Sequence, residues 1–335
     1  MVDARAVAPG RVNLIGDHTD HTGGWVLPMA VDLVTTIEFD HRDEPFVDLW
    51  SDRLPGVVRF DLPVTAPRDI TPPWGRYVAA VAAEIGPTAR GISGRVTSAV
   101  PVGGGLSSSA ALTVAAALAL GADQSDPVAL AQLCQRAEHA AVGVPCGIMD
   151  PLTSIAAVDG CALLIDTLER RVTPVPIPDG VEIVVVDSGL SRSLENSPYA
   201  ERRTRCERAA QAVGSLRSAN MASLAAIDDA EVRAAGRHVM TENQRVLEAA
   251  DALGRGDVAT VGRLMVASHV SLRDDLDVST PEIDGLVERM VAMPGVYGAR
   301  LTGAGFGGFV VALAEPGAIA GGLVVRAVGG ARLAP

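Results

Sequence analysis

Apolar and β-branched positions alternate with polar ones between residues 31 and 61. VTTIEF, FVDLW and VVRFD carry that two-residue period, with DHRDEP and DRLPG as turn signals between them, so three strands are predicted. The period then lengthens. WGRYVAAVAAEIG (74–86) has helical spacing and stops at Gly86, and GRVTSAV (94–100) returns to a strand. SSSAALTVAAALAL (107–120) is apolar almost all round, the pattern of a buried helix. In SDPVALAQLCQRAEHAAVG, Asp126 is the expected N-cap, Pro127 suits the first helical position and Gly143 closes the helix. CALLID (161–166) and VEIVVVD (181–187) are apolar runs of strand length. Helical Ala/Arg/Glu patterns fill 200–293, and YGARLTG and GFVVALA form a last strand pair around a glycine-rich turn. Strands and helices do not alternate as regular βαβ units, which favours an α+β fold over a doubly wound sheet. RVTPVPIPDG (171–180), with three alternating prolines, is the expected junction of an N-terminal domain (1–172) and a C-terminal domain (173–335). A chain of 335 residues has the length of roughly two domains.

Composition narrows the partners. The chain is 48% hydrophobic and 20% charged, enough for a packed core, but only 3% aromatic, so Ala, Val and Leu must build that core. A net charge of −12 leaves no basic footprint for nucleic acid or an anionic membrane. A small anionic ligand at a locally positive site stays compatible. There is no lysine; all 28 basic residues are arginine. A Walker A loop and a protein-kinase fold both need a lysine on the phosphates, so neither is present. Cys134, Cys146, Cys161 and Cys206 are scattered without a C-x-x-C pair, which fits a reducing cytoplasm better than a disulfide framework. MVDARAVAPG has no apolar core of a signal peptide, and the longest nearly apolar run, Ala110–Ala122, is too short to span a bilayer.

Three segments carry candidate chemistry. GRVNLIGDHTDHTGG (10–24) puts two Asp and two His within five positions at the mouth of a glycine-bounded turn. A metal site, a sugar-binding loop and an ordinary polar turn all fit it. A single short loop rarely supplies a closed metal site, and no distant ligand motif completes one. PVGGGLSSSAAL (101–112) runs a strand into three glycines, three serines and a helix. Glycines let backbone wrap a ligand, the helix N-terminus offers free N–H groups, and hydroxyls add hydrogen bonds or a Mg²⁺ ligand. That is phosphate chemistry without lysine; a flexible loop with a serine cap is the plain alternative. LTGAGFGGFVVAL (301–313) alone reads as a tight strand–turn–strand connection.

Taken in order, the three segments resemble the motifs of the GHMP small-molecule kinases, and within them the galactokinases. APGRVNLIGDHTD is similar to the signature usually written GRVNLIGEHTDYN. The likeness continues through PVGGGLSSSAAL, QRAEHAAVGVPCGIMD, NSPYAERRTRCE, HVMTENQRV, SHVSLRDDLDVSTPEID and GARLTGAGFGG, from Ala8 to about Leu313. The resemblance implies a two-domain architecture with the active site between the domains, and transfer of the γ-phosphoryl of ATP to the anomeric hydroxyl of α-D-galactose. It implies that Gly103, Gly104, Gly105, Leu106, Ser107, Ser108 and Ser109 cradle the phosphates and that Ser109 and Glu138 ligate Mg²⁺. Asp150 then orients or deprotonates the sugar hydroxyl, and Arg11 stabilises the transferring group. Asp17, His18, Thr19, Asp20, Gly147 and Tyr199 become the sugar contacts. Read in isolation, Glu138 is a solvated helix carboxylate, Asp150 a helix cap ahead of Pro151, Arg11 a structural ion pair, and Tyr199 and His18 core side chains. The expected partners are sugar and ATP, and a monomer is expected.

The sequence departs from the family pattern at Asp17 (usually Glu), His21 (usually Tyr), Thr22 (usually Asn), Pro151 (usually Gln) and Phe309 (commonly Cys). The shorter Asp17 and its neighbours leave a sugar altered at carbon 2 or 6 as an alternative substrate. A non-catalytic sensor of sugar and ATP is the alternative from another class; intact Arg11, Glu138 and Asp150 argue against it. HVMTENQRV and SHVSLRDD carry no chemical role beyond helix packing on this reading.

Overall fold

A computed structural model describes residues 4–143, 146–190 and 198–334. Val144 and Pro145 of the VGVPCGIMD block, and Asn196 and Ser197 of the NSPY block, lie outside them. In chain order the first half holds β1 (Ala4–Asn13), β2 (Trp25–Val26), β3 (Pro28–Arg42), β4 (Phe46–Ser51), β5 (Val57–Asp61), α1 (Gly75–Ile85), β6 (Gly91–Ser98), α2 (Ser108–Ala119), α3 (Pro127–Val142), α4 (Met149–Ala156), β7 (Cys161–Asp166) and β8 (Arg171–Pro176). The second holds β9 (Glu182–Asp187), α5 (Tyr199–Val213), α6 (Met221–Ala225), α7 (Ala230–Gly254), α8 (Val258–Asp274), α9 (Pro281–Val291), β10 (Val296–Leu301), β11 (Phe309–Ala314), β12 (Leu323–Val325) and β13 (Arg332–Ala334).

The strands form three sheets, ordered β13-β1-β3-β6-β4-β5, β10-β11-β9-β12 and β2-β7-β8. All pairs are antiparallel except β4 with β6. Thr35, Ile37 and Phe39 of β3 alternate inward, as one covered sheet face requires. That face meets α1, α2 and α3 in a core that includes Ile37, Phe39, Val78, Val81, Val114 and Leu118. α2 is buried along its whole length from Ala110 to Ala119, as its all-round apolar pattern predicts. A second core packs α5, α7, α8 and α9 against the four-stranded sheet. Helices lying on mostly antiparallel sheets make this an α+β fold.

The ends of α3 follow the sequence closely. The Asp126 carboxylate accepts from Val128 and Ala129 N–H at 2.8 and 3.2 Å, Pro127 opens the helix, and Gly143 closes it in the left-handed region. Two features differ from expectation. Residues 4–13, to which the sequence pattern assigns no element, form a long strand: the Pro9–Gly10 pair sits at a register shift between Pro9 and Arg11. A Cβ at Gly10 would lie 2.7 Å from the Leu106 carbonyl, so the glycine lets the 101–107 loop rest on β1. The proline-rich stretch is also a strand through Pro176, paired residue for residue with β7. It lies at the edge of its sheet, where a missing N–H leaves no ladder bond unmade.

Candidate active site

One cavity of about 420 Å³ opens between the loops that follow β1, β6, α3 and β10. Its size suits a small-molecule pair. Arg11 enters it from the end of β1. The Arg11 N–H donates to the Leu106 carbonyl at 3.1 Å, which fixes the residue against the glycine-rich loop. Its guanidinium grips Asp150 with two bonds, Nε to Oδ1 and Nη2 to Oδ2, both 2.7 Å, while Nη1 donates to the Gly105 carbonyl at 2.5 Å. Planar two-point pairing of this kind fixes orientation as well as charge. The Ser107 hydroxyl also donates to Asp150 Oδ2.

Ser107 holds that position through an uncommon backbone. It stands at the N-cap of α2 with φ 59° and ψ 48°, left-handed without being glycine, and its side chain does not cap the helix. Such geometry persists where surroundings enforce it and collects at functional sites. Asp150 corrects the expectation of a helix cap. Ile148 is the N-cap of α4, Asp150 lies inside the first turn, and its oxygens go to Arg11 and Ser107 instead of to helix N–H groups. A carboxylate in a first turn is still favoured by the helix dipole.

Glu138 projects from α3 into the same cavity and is 6% exposed. Burial, reinforced by the nearby Asp150 charge, raises its pKa from 4.5 to about 7 against the opposing pull of Ser109, Cys146 and Arg11. A buried carboxylate with a serine hydroxyl hydrogen-bonded to it is a two-oxygen donor set. Mg²⁺ takes few protein oxygens and keeps several waters, so these residues fit that ion, and a cation beside Glu138 would relieve the cost of ionising it. Among the described residues no cluster of three His, Cys, Asp or Glu is arranged to hold a metal alone.

The opposite wall comes from the 16–25 loop and α5. His18, at φ 63°, Asp20 and Tyr199 face the cavity, and the His18 and Tyr199 rings lie 5.5 Å apart. Burial would raise the Asp20 carboxyl, but His21 at 3.5 Å and the charges of His18 and Arg203 lower it on balance. Burial and the Asp20 charge together push the Tyr199 hydroxyl up, so it stays protonated. Gly147 has a steric reason: a Cβ there would overlap the Asp20 carboxylate. The neighbouring Cys146 N–H is fixed by the His139 ring at 2.6 Å.

Gly103, Gly105, Ser107, Ser108 and Ser109 border the cavity with these groups. Three expected contacts sit behind its wall. The Thr19 hydroxyl lies against the Gly16 and Trp25 carbonyls at 2.9 and 2.7 Å, Leu106 is fully buried, and Gly104 packs under the Phe309 ring. Asp17 borders the cavity but is 2% exposed: Oδ1 accepts the Gly303 N–H at 3.0 Å and Oδ2 pairs with the fully buried Arg300. Tyr77, Val142, Gly303 and Ala304 also line the cavity and were not legible as site residues.

Residues 3–40 match the galactokinase galactose-binding signature, 75–157 the N-terminal domain of GHMP kinases and 249–323 their C-terminal domain. The chain is 46% identical to a galactokinase of Bos taurus over 93% of its own length and 83% of that protein, and 45% identical to one of Homo sapiens with the same coverage. The chain belongs to the galactokinase family. Its fold matches the crystal structure of Lactococcus lactis galactokinase complexed with galactose, with a TM-score of 0.90, 28% identity, and coverage of 98% of this chain and 94% of that one. As a galactokinase-family chain it is a phosphotransferase acting on a sugar hydroxyl. Among the described residues no helix is long and apolar enough to cross a membrane.

Proposed function

We propose that this chain transfers the γ-phosphoryl group of ATP to the anomeric hydroxyl of α-D-galactose, releasing ADP and galactose 1-phosphate. The observation that carries the reading is the Arg11–Asp150–Ser107 unit, which joins the wall bearing His18, Asp20 and Tyr199 to the wall bearing the glycine-rich loop. Sugar hydroxyls donate to Asp20 and meet His18 and Tyr199. The phosphates lie along Gly103–Ser109, where backbone N–H groups and the α2 N-terminus supply positive potential without lysine. Asp150 accepts the hydroxyl proton and aims its oxygen at the γ-phosphorus, and Arg11 carries positive charge to the junction of the substrates. Phosphoryl transfer depends more on aim and charge than on base strength, which suits a carboxylate already held by a guanidinium. Ser109 and Glu138 would hold Mg²⁺, whose contribution when bound is to neutralise phosphate charge.

Of the departures from the family pattern, His21 and Thr22 do not border the cavity: the His21 ring lies against Asp20 and the Thr22 hydroxyl donates to the Thr19 carbonyl. Asp17 is engaged by Arg300 and Gly303. Side chains that stand off the cavity, or are engaged by protein groups, favour galactose over a sugar altered at carbon 2 or 6. We read residues 1–172 as the nucleotide- and metal-binding domain and 173–335 as the domain that adds Tyr199 and the Gly303 turn, acting as a cytoplasmic monomer. ADP release with MgATP and a panel of D-galactose, 2-deoxygalactose, galactosamine, N-acetylgalactosamine, L-arabinose, D-fucose and glucose tests this. Turnover is expected to be highest on galactose; a preference for another sugar overturns the assignment, and silence on all of them overturns the enzyme reading.

A further inference from the structure

The 16–25 loop carries His18 and Asp20 to the cavity, and within it the Thr19 hydroxyl ties the Gly16 and Trp25 carbonyls together. Gly16, Gly23 and Gly24 interrupt it, Gly16 has φ 107°, and His18 is left-handed. Beyond the Arg300 and Gly303 contacts of the Asp17 side chain, the loop's main chain is held by α7, about 220 residues later in the chain. The Gly16 N–H donates to Glu242 Oε1 at 2.9 Å. The Asp17 carbonyl accepts from His238 Nε2 at 3.1 Å. The Trp25 N–H donates to Asn243 Oδ1 at 2.7 Å. Three main-chain groups, two before the left-handed turn and one after it, are therefore fixed by three side chains. Positions 238 and 242 are one helical turn apart on one face of α7, and 243 follows about a quarter-turn further round it.

These side chains are themselves locked. His238 and Glu242 are fully buried and Asn243 is 6% exposed. Glu242 takes a second hydrogen bond from the Ser268 hydroxyl at 2.5 Å and an ion pair from Arg245 at 2.7 Å. Burial works against the Glu242 charge, but Arg245, Arg300 and the Ser268 hydroxyl hold its pKa down and keep it an acceptor. Burial lowers the His238 pKa, so the ring is neutral; a carbonyl can only accept, which assigns the ring proton to Nε2 and leaves Nδ1 facing the Ser271 hydroxyl at 2.9 Å. Gly24 completes the fit, because a Cβ there would lie 2.5 Å from Asn243 Oδ1. None of the three side chains borders the cavity.

We propose that His238, Glu242 and Asn243 are positioning residues for the sugar: through the main chain at Gly16, Asp17 and Trp25 they set where His18 and Asp20 stand. The inference rests on the sugar-kinase reading above. It gives the HVMTENQRV segment a role that helix packing alone does not. The phosphate loop stands on β1 and α2, not on α7, so the effect is confined to one substrate.

The test is steady-state kinetics on the full-length protein, with galactose and ATP varied separately. Wild-type turnover on galactose tests the sugar-kinase reading by itself; the ratio of variant to wild type tests the positioning. His238→Leu removes the donor to Asp17 and is expected to raise the galactose KM about tenfold, the loss of one buried hydrogen bond, with the ATP KM changed by less than about threefold. His238→Gln, which again offers an N–H toward the Asp17 carbonyl, is expected to recover most of the loss. Asn243→Ala, which strands the Trp25 N–H, is expected to show the same split and carries the test with His238→Gln if His238→Leu does not fold. Equal rises in both KM values, or a lower melting temperature with an unchanged galactose KM, overturn the proposal.

Discussion

Glu138 shows how a residue's surroundings change what its letter means. On the surface of α3 it would titrate near 4.5; buried beside Asp150, it titrates near 7. A carboxyl whose folded-state pKa lies above its unfolded value stabilises the fold fully below the unfolded pKa and loses that contribution as pH rises through the folded one. With divalent cations removed, the wild type is therefore expected to lose stability relative to Glu138→Gln between pH 4.5 and about 7. The size is on the order of 3 kcal/mol, from about 1.4 kcal/mol per pKa unit. Denaturant titrations at about pH 5 and pH 8 measure it, and parallel pH dependence of the two proteins would remove Glu138 from its buried position beside Asp150. Arg11, Glu138 and Asp150 were singled out only through the family resemblance, since each alone reads as an ion pair, a solvated carboxylate or a helix cap. The left-handed Ser107 and its bond to Asp150 were not legible, since neither a φ angle nor a partner 43 residues away leaves a mark on local pattern.

Elements were legible where periodicity and end chemistry agreed, and obscured where a sheet edge or a bulge absorbed a breaker. α3 carries its cap, its opening proline and its closing glycine in plain sight, and CALLID coincides with β7. β1 and β8 contain Pro9–Gly10 and Pro174 with Pro176, which punctuate a sequence but are accommodated by a register shift and an edge. Contacts between elements explain one departure from the family. Phe309 opens β11, its N–H donates to the Gly104 carbonyl at 3.1 Å, and its ring occupies the space a Cβ on Gly104 would need. The glycine-rich loop is thus braced from the C-terminal half. Gly104→Ala is expected to raise the ATP KM about tenfold or more, since overpacking costs roughly 1–3 kcal/mol, with a smaller change for galactose. Gly104→Ala combined with Phe309→Ala is expected to recover much of it. Full-strength ATP binding by Gly104→Ala alone would show that the ring does not brace the loop.

Across the whole molecule the two halves interlock at the site. Arg300 of β10 is fully buried, pairs with Asp17 and donates to the Leu14 carbonyl at 3.2 Å, so the C-terminal sheet holds the end of β1. α7 holds the loop that follows, and β13 returns from the chain terminus to pair with β1. Tyr199 and Gly303 of the second half border one cavity with His18, Asp20, Gly103, Gly105 and Ser109 of the first, and the Arg11–Asp150 pair stands in its wall. On the proposed function, the Arg11–Asp150 pair directs phosphate to the anomeric oxygen. Phosphorus NMR of the reaction with MgATP and D-galactose tests it most directly. The expected product is a sugar phosphate whose phosphorus couples to the anomeric proton, formed in step with ADP and missing when Asp150→Ala, still able to bind ATP, replaces the wild type. Phosphate on another hydroxyl, or undiminished product from Asp150→Ala, would contradict the account.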